Sequence, residues 1–280
     1  MMKKKIRILA AVLAMVLVLV SLTGCSAVSK KTQYNEYDDH SSLYRYTSTS
    51  TQTEFTVPDD YNGKPLTELE AFSIASAEYL KVLNIGKLVE KIDVWAISNC
   101  PVLKEINVDA ENPNFCSVDG VLYTKDMTTL LKYPNAKSVP ERDENGAITG
   151  GTDVVIPDSV KVIEDNAFYL CSNVYHVTFN EGIERIGNMA FIKCSNLVSL
   201  ELPSTLKELG EDAFSYCDSL KAVEIPSGVE KVGNYAFFST ASQIKKIVVN
   251  NAEDAIEFGT DWIPTKAGTV GEKVEVEYKG

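Results

Sequence analysis

The sequence predicts a repeat solenoid: about nine coils of about 23 residues, stacking short parallel β-strands with a short helical turn in each coil. One observation is an Ala-Phe pair that recurs every 23 residues, at Ala167-Phe168, Ala190-Phe191, Ala213-Phe214 and Ala236-Phe237. A second is a cysteine at the same interval, at Cys171, Cys194 and Cys217. A third is the residue that closes each strand-like phrase, at Pro157, Asn180, Pro203 and Pro226. A fixed period of this kind indicates stacked units that bury a shared core.

Each coil can be interpreted in the same way. Leu197, Leu200 and Leu202 place apolar side chains on one side of a short strand. The closing Pro203 lacks a backbone N–H and therefore ends the ladder of the strand. The acids at the start of Glu211–Phe214 suit the first turn of a helix. Because every coil runs in the same direction, strands of successive coils should pair in parallel.

The register continues upstream with less regular spacing, at Pro58, Gly86, Asp109 and Pro134. Ile97 and Cys100 mark the Phe and Cys positions of the second coil. The segment from Asp109 to Pro157 is therefore predicted to be two degenerate coils. The first should contain a hairpin-like turn at Lys125-Asp126, and the second should be polar and loop-like.

The repeated pattern I-P-x-x-V-x-x-I-x-x-x-A-F-x-x-C-x-x-L-x-x-I resembles the BspA-like leucine-rich-repeat family of bacterial surface proteins. The resemblance covers about Glu54 to Val249 and is closest from Val154 to Ile247. The sequence departs from it at three positions, with Ile97 for Phe and with Ala75 and Thr240 for Cys. The resemblance implies the architecture and a role in adhesion to host or neighbouring cells. It does not imply a particular ligand, because the repeated residues are those of the core.

Residues 1–24 have the layout of a signal peptide, with a basic start followed by the apolar run Ile8–Val20. This run is shorter than the roughly 20 residues of a spanning helix. Leu22-Thr23-Gly24-Cys25 resembles the lipobox of bacterial lipoproteins, which implies a diacylglyceryl anchor on Cys25 and export to the cell surface. The alternative is an ordinary signal peptide with a coincidental cysteine. Residues 25–53 are polar and predict a flexible tether, which leaves residues 54–280 for the solenoid and a C-terminal cap.

The charge balance argues against nucleic acid as a partner. The formal net charge is −12, and without Lys3, Lys4, Lys5 and Arg7 the chain has 23 basic against 39 acidic residues. Binding to phosphates needs a basic stripe, which is missing.

The residue types also argue against a metal site, a cofactor and an enzyme. The sequence has two histidines and no C-x-x-C or H-x-x-x-H spacing, so it predicts no metal site. The one conceivable nucleophile and base, His176 with Cys171 or Cys194, should be separated because the cysteines face the core.

The cysteine ladder allows two interpretations. Stacked cysteines one strand spacing apart satisfy the Cα distance of a disulfide, and an exported protein can keep one. However, three equivalent cysteines cannot all pair. A ladder of buried thiols packed as small apolar groups is therefore favoured, with Cys116 as a separate packing residue.

The remaining candidate site is the predicted concave strand face, whose outward residues differ from coil to coil. The candidates for contact with a protein partner are Tyr175, His176, Thr178, Ser199, Glu201, Glu224 and Lys246. They should point to solvent because they alternate with buried residues such as Val174 and Val177. Three alternatives stay open: a cell-envelope module without a ligand, a carbohydrate or cell-wall binder, and binding by the polar loop Lys137–Asp153. A glycan site would need several aromatic platforms, and this face supplies only Tyr175.

Overall fold

A computed structural model describes residues 32–138, 141–142, 144–145, 148–150, 152–240, 244–265 and 272–280. One compact unit runs from Gln33 to Gly280. The predicted signal peptide and Cys25 lie outside the described residues. No helix in the described ranges has the length and apolar character needed to cross a membrane.

The described residues form short strands connected by turns. The strands of the N-terminal half are β1 Gln33–Glu36, β2 Ser41–Arg45, β3 Glu54–Thr56, β4 Asp60–Tyr61, β5 Lys64–Leu69, β6 Ile74–Ala75, β7 Val82–Ile85, β8 Lys91–Ile92, β9 Ile97–Ser98, β10 Glu105–Val108, β11 Phe115–Val118, β12 Val121–Thr124 and β13 Thr129–Lys132. Those of the C-terminal half are β14 Glu141–Arg142, β15 Ile148–Gly150, β16 Thr152–Val155, β17 Val162–Ile163, β18 Val174–Thr178, β19 Arg185–Ile186, β20 Glu208–Leu209, β21 Val223–Ile225, β22 Lys231–Val232, β23 Lys246–Val249, β24 Glu257–Phe258 and β25 Glu275–Tyr278.

The strands stack in parallel rows, which confirms the predicted leucine-rich-repeat solenoid. One row contains three groups of paired strands: β3, β7 and β10; β16 and β18; and β21, β23 and β25. The other row is continuous from β13 through β17, β19, β20 and β22 to β24. In this second row Val162 pairs with Arg185, Arg185 with Glu208, and Glu208 with Lys231. Each step is 23 residues, so the sequence period is the step from one coil to the next.

The predicted helical turns are absent from the described residues and are replaced by consecutive tight turns. Within those residues the one helical element is a 3₁₀ turn at Glu253–Ala255. In the turn edge of the coils, non-glycine residues adopt left-handed backbone angles at Asn166, Leu170, Met189, Lys193, Asp212, Tyr216, Tyr235 and Ser239. The N–H groups of Phe191 and Lys193 donate to the next coil, at Ala213 O and Ser215 O, both at 2.8 Å. An α-helix would use these donors internally, so the turn edge forms a ladder between coils instead.

A stack of aromatic rings forms the centre of the core. It runs through Tyr133, Phe168, Phe191, Phe214 and Phe237, with successive ring centroids 4.8, 4.5, 5.1 and 5.7 Å apart. All four phenylalanines are fully buried. This confirms the predicted position of the Phe register between the coils.

The cysteine ladder consists of free thiols. Cys171, Cys194 and Cys217 are fully buried and unpaired. The Cys194 thiol donates to Phe168 O at 3.3 Å, and the Cys217 thiol donates to Phe191 O at 3.2 Å. Cys116 is half-buried at the border of the core. The favoured interpretation of a buried thiol ladder is therefore confirmed.

Glycine is required where the coils approach most closely. Gly187, Gly210, Gly233 and Gly259 occupy equivalent positions, after the strands of the second row. A Cβ atom on Gly210 would lie 2.5 Å from the carbonyl carbon of Gly187 and from the amide nitrogen of Asn188. Real Cβ atoms do not approach backbone so closely, so only glycine fits this position.

The two degenerate coils differ in how far they keep the repeat. In the first, β11 and β12 form an antiparallel hairpin around Asp119-Gly120, where both residues have positive φ. The chain turns again at Lys125-Asp126, as predicted, and β13 then pairs in parallel with β17. The second degenerate coil supplies β16 to the first row and forms a short ribbon of β14 and β15. None of these strands joins the second row, where β13 pairs directly with β17.

The hairpin divides the interior into two cores. Val121 and Tyr123 of β12 belong to the larger C-terminal core, which extends to Val274. Leu122, between them, points to the other side and belongs to the N-terminal core with Leu43. Alternation along β12 therefore supplies both cores from one strand.

The predicted tether is wrong for residues 33–46. These residues form β1 and β2, and β2 pairs in parallel with β5. Leu43 is fully buried, and the Ser42 hydroxyl donates to the Glu70 carboxylate. The segment is polar in composition, but its few large side chains and its paired hydroxyl groups are sufficient to order it. The described fold therefore includes β1 and β2, upstream of the predicted boundary at Glu54.

Candidate functional site

The strand face is the outward surface of the first row, from β16 to β25. In the middle of this face, equivalent residues of successive coils form rows. Backbone bonds connect Tyr175 O to Val198 N at 2.9 Å and Val198 O to Lys221 N at 3.1 Å. A parallel bridge joins Glu201 to Glu224 in the neighbouring row. These rows bring together side chains that are 23 residues apart in the sequence.

The candidate residues mostly reach solvent, as the alternation predicts. Val174, Val177 and Leu200 are buried. The exposed candidates are His176, Thr178, Ser199, Glu201 and Glu224, whereas Tyr175 and Lys246 are half-buried.

His176 binds its neighbour in the next coil. Its Nδ1 lies 2.8 Å from the Ser199 hydroxyl. Cys171 and Cys194, by contrast, are fully buried, so the structure does not bring His176 together with a thiol. Burial raises the pKa of the Cys171 thiol to about 12, which keeps it protonated and weakly nucleophilic.

An open groove lies on the strand face between the coils of Glu201 and Glu224. Its volume is about 540 Å³. The lining residues are Glu181, Val198, Ser199, Leu200, Glu201, Leu202, Ser204, Lys221, Ala222, Glu224, Pro226 and Asn250. Three of the predicted site residues, Ser199, Glu201 and Glu224, are therefore brought together here. The small side chain of Ala222 leaves space at a position flanked by larger residues.

The groove is acidic. The Glu181 carboxylate accepts hydrogen bonds from the backbone and the hydroxyl of Ser204, at 3.0 and 2.8 Å. The Glu224 carboxylate accepts one from the Asn250 amide at 2.5 Å. Within the described part of the chain the Glu201 carboxylate has no hydrogen-bond or ion-pair partner. Among the lining residues, Lys221 is the one cation.

Lys246 is not among the lining residues of the groove. It forms an ion pair with Glu277 of β25. The hydrogen bond to this carboxylate raises the pKa of the Lys246 ammonium. This candidate therefore pairs with the last strand and not with Glu201 or Glu224.

Sequence reasoning missed an exposed aromatic cluster on the turn edge. The Phe238 ring lies 5.7 Å from the rings of both Tyr216 and Tyr235 and is nearly perpendicular to each. All three rings are more than a third exposed. The Lys193 ammonium lies 5.8 Å from the centre of the Tyr216 ring. The sequence contained a signal for this cluster, because aromatic residues stand close to the repeated Ala-Phe pairs at positions that vary from coil to coil.

A buried lysine was also missed. The Lys132 ammonium donates to Asn166 O at 2.8 Å and lies 5.9 Å from the Tyr169 ring centre. No carboxylate in the described residues pairs with it. Burial therefore lowers the pKa of Lys132. The described residues contain no group of three His, Cys, Asp or Glu side chains arranged to hold a metal ion.

Residues 149–259 match the family model of the BspA type leucine rich repeat region, in six copies. This segment is therefore similar to BspA-type repeats. The matched residues include the Phe stack, the thiol ladder and the acidic groove. The comparison with curated proteins finds no match.

Solved structures with similar folds extend the likeness beyond the matched BspA-type repeats. The pneumococcal vaccine antigen PcpA is 25% identical with a TM-score of 0.60, over 72% of this chain and 47% of that chain. A leucine-rich repeat protein from Eubacterium ventriosum is 22% identical with a TM-score of 0.61, over 75% of this chain and 54% of that chain. This chain therefore spans about half the length of each.

Proposed function

We propose that this protein is an exported, lipid-anchored protein of the bacterial cell surface that binds a protein partner through its strand face. The signal-peptide layout and the lipobox-like Leu22–Cys25 support export and anchoring. The similar pneumococcal protein is a vaccine antigen, which agrees with a surface location. Adhesion to a host or a neighbouring cell is the biological role that fits such a location.

The division between core and surface supports a binding role most directly. Each coil repeats its buried residues, whereas its outward residues on the strand face change from coil to coil. The row of His176 and Ser199 lies beside the row of Glu201 and Glu224, and the groove lies between the coils that carry these two glutamates. A broad sheet with a varied surface is a suitable site for another protein. Tyr175 is the aromatic side chain best placed to dominate its binding energy.

The binding site can be tested with a pair of variants. The soluble part of the chain, from Lys30 to Gly280, is used to capture partners from host matrix and cell-surface proteins. Changing both Tyr175 and His176 to Ala should weaken capture by more than about 1 kcal/mol while the melting temperature stays nearly unchanged. The matched control, Tyr216→Ala with Phe238→Ala, removes two aromatic rings from the turn edge and should leave capture intact.

A competing site is the polar loop of the second degenerate coil. Replacing residues 139–151 with a Gly-Ser linker keeps β16 and removes most of this loop. Full capture by the Tyr175 and His176 variant, together with loss in the loop variant, would move the site to the loop. Loss of capture in neither variant would contradict both positions.

The anchor has its own test. Cys25→Ala should abolish incorporation of a labelled fatty acid, whereas the neighbouring Ser26→Ala should retain it. Continued labelling of the Cys25→Ala protein would contradict the lipobox interpretation.

A second candidate function, binding of a glycan, is favoured by the aromatic cluster. Tyr216, Tyr235 and Phe238 present exposed rings of the kind that stack on sugars, outside the strand face. Binding of the wild type on an array of bacterial and host glycans, with loss in the Tyr216 and Phe238 variant, would support it. An array without binding would reject this candidate.

A further inference from the structure

The groove lies where the strand face is least regular. Between β18 and β21, residues 198–202 join the neighbouring coils through two backbone bonds at Val198 and the single bridge of Glu201 to Glu224. No regular strand is formed there. The groove is therefore an interruption in the sheet, with apolar Val198 and Ala222 among its lining residues.

The two glutamates of the groove create a position for a cation. Bridged residues of neighbouring parallel strands lie about 4.8 Å apart, and like charges in this position repel. Both side chains are exposed, and neither pairs with a cation within the described residues. The Asn250 amide donates one neutral hydrogen bond to the Glu224 carboxylate. Within the described residues, the Glu201 carboxylate accepts no hydrogen bond. A cation placed between them would relieve the repulsion and pair with both.

The shape and surroundings favour a side chain of an extended peptide over a free ion. The volume of about 540 Å³ is within the range of about 300–1,000 Å³ that is typical of ligand sites. Lys and Arg have long apolar stems that can lie along Val198, Ala222 and Pro226 while the charged end reaches the carboxylates. Arg also offers a planar fork of donors that suits two acceptors.

We propose that the groove binds a basic, extended segment of a partner protein, with a Lys or Arg side chain between Glu201 and Glu224. This inference rests on the proposed function and names the chemistry of its partner. The acidic excess of the chain, 39 acids against 27 bases, would attract such a segment. Glu181, at the same groove, adds a third acid for a second basic residue of the segment.

The test uses the full chain in detergent and two fluorescent dodecapeptides. One alternates Arg with Ser, and the other alternates Glu with Ser. Binding is followed by fluorescence anisotropy at physiological salt. The groove variant is Glu201→Gln with Glu224→Gln. The matched control is Glu184→Gln with Glu211→Gln, which removes two exposed acids outside the groove.

The Arg peptide should bind, and the groove variant should lose at least fivefold in affinity while the control loses less than twofold. Equal losses would overturn the proposal, because the peptide would then respond to the overall charge and not to the groove. Absence of binding to the wild type, or preference for the Glu peptide, would also overturn it. If partner capture still depends on Tyr175 and His176, protein binding stands and only the basic chemistry fails.

Discussion

Truncation of one ring in the aromatic stack should remove a large part of the stability of the fold. Phe214 is fully buried, with Phe191 5.1 Å away on one side and Phe237 5.7 Å away on the other. Phe→Ala in a core costs about 3–5 kcal/mol through lost burial and the cavity that remains. Each aromatic pair adds about 0.5–1.5 kcal/mol to the effect of area alone. We expect Phe214→Ala to lower the free energy of unfolding by about 4 kcal/mol.

Two other phenylalanines supply internal controls. Phe238 lies in the next coil but is 40% exposed, so Phe238→Ala should cost about 1 kcal/mol or less. Phe237 is fully buried but stacks on one ring, that of Phe214. Phe237→Ala should therefore cost less than Phe214→Ala by about the value of one aromatic pair. The expected order is Phe214, then Phe237, then Phe238.

The measurement is urea unfolding followed by circular dichroism. Stability differences are compared only among variants with the same dependence on denaturant, because a changed slope would signal loss of two-state behaviour. A loss below about 2 kcal/mol for Phe214→Ala, or a loss equal to that of Phe238→Ala, would refute the role of the ring stack.

Three further outcomes follow from the structure. Gly210→Ala should cost more than about 2 kcal/mol of stability because its Cβ would meet the backbone of the preceding coil. Gly63 has open space around it, so Gly63→Ala should cost about 1 kcal/mol from its positive φ alone. Thermal melting would show whether this order is correct. Folding lowers the pKa of Lys132. Between the folded pKa and the unfolded value of about 10.4, the unfolded chain therefore binds more protons at this residue than the folded chain does. Wild-type stability should therefore rise with pH relative to Lys132→Met over that interval, and parallel pH profiles would contradict this. Deleting Val274–Gly280 removes β25 and uncovers β23, so solubility and melting temperature should both fall; unchanged values would count against a capping role.

The repeat was readable from the sequence because its core is periodic. The Phe and Cys registers needed no knowledge of backbone geometry, since a fixed spacing in a solenoid places equivalent residues on top of one another. The helical turn was predicted wrongly because the sequence does not show that Met189 and Asp212 adopt left-handed angles. Acids before Ala-Phe indicate a helix start only if the backbone donors stay within the coil, whereas here alternate donors, those of Met189, Phe191 and Lys193, bond to the next coil.

Composition misled the prediction where a few side chains decide the structure. The first strands contain many polar residues, yet Leu43 and the paired hydroxyl of Ser42 order them. In the hairpin, the turn at Lys125-Asp126 was found, but Asp119-Gly120 was not, although this dipeptide favours tight hairpin turns.

The exposed candidates of the site followed from alternation along the strands. The groove did not, because it depends on the size of Ala222 and on the irregular backbone beside it. The ion pair of Lys246 could not be predicted from the repeat either, because its partner Glu277 belongs to the last strand, outside the regular coils.

The hairpin strand β12 has a mechanical consequence, because it gives Leu122 to one core and Val121 and Tyr123 to the other. Tension applied to the two ends of the stack would act across the coils, so each of the two cores should unfold as one block. The hairpin marks the border at which one packed block gives way to the next. Pulled in an optical trap, the chain should therefore lengthen in two main steps, and the longer step should come from the block that contains the Phe stack.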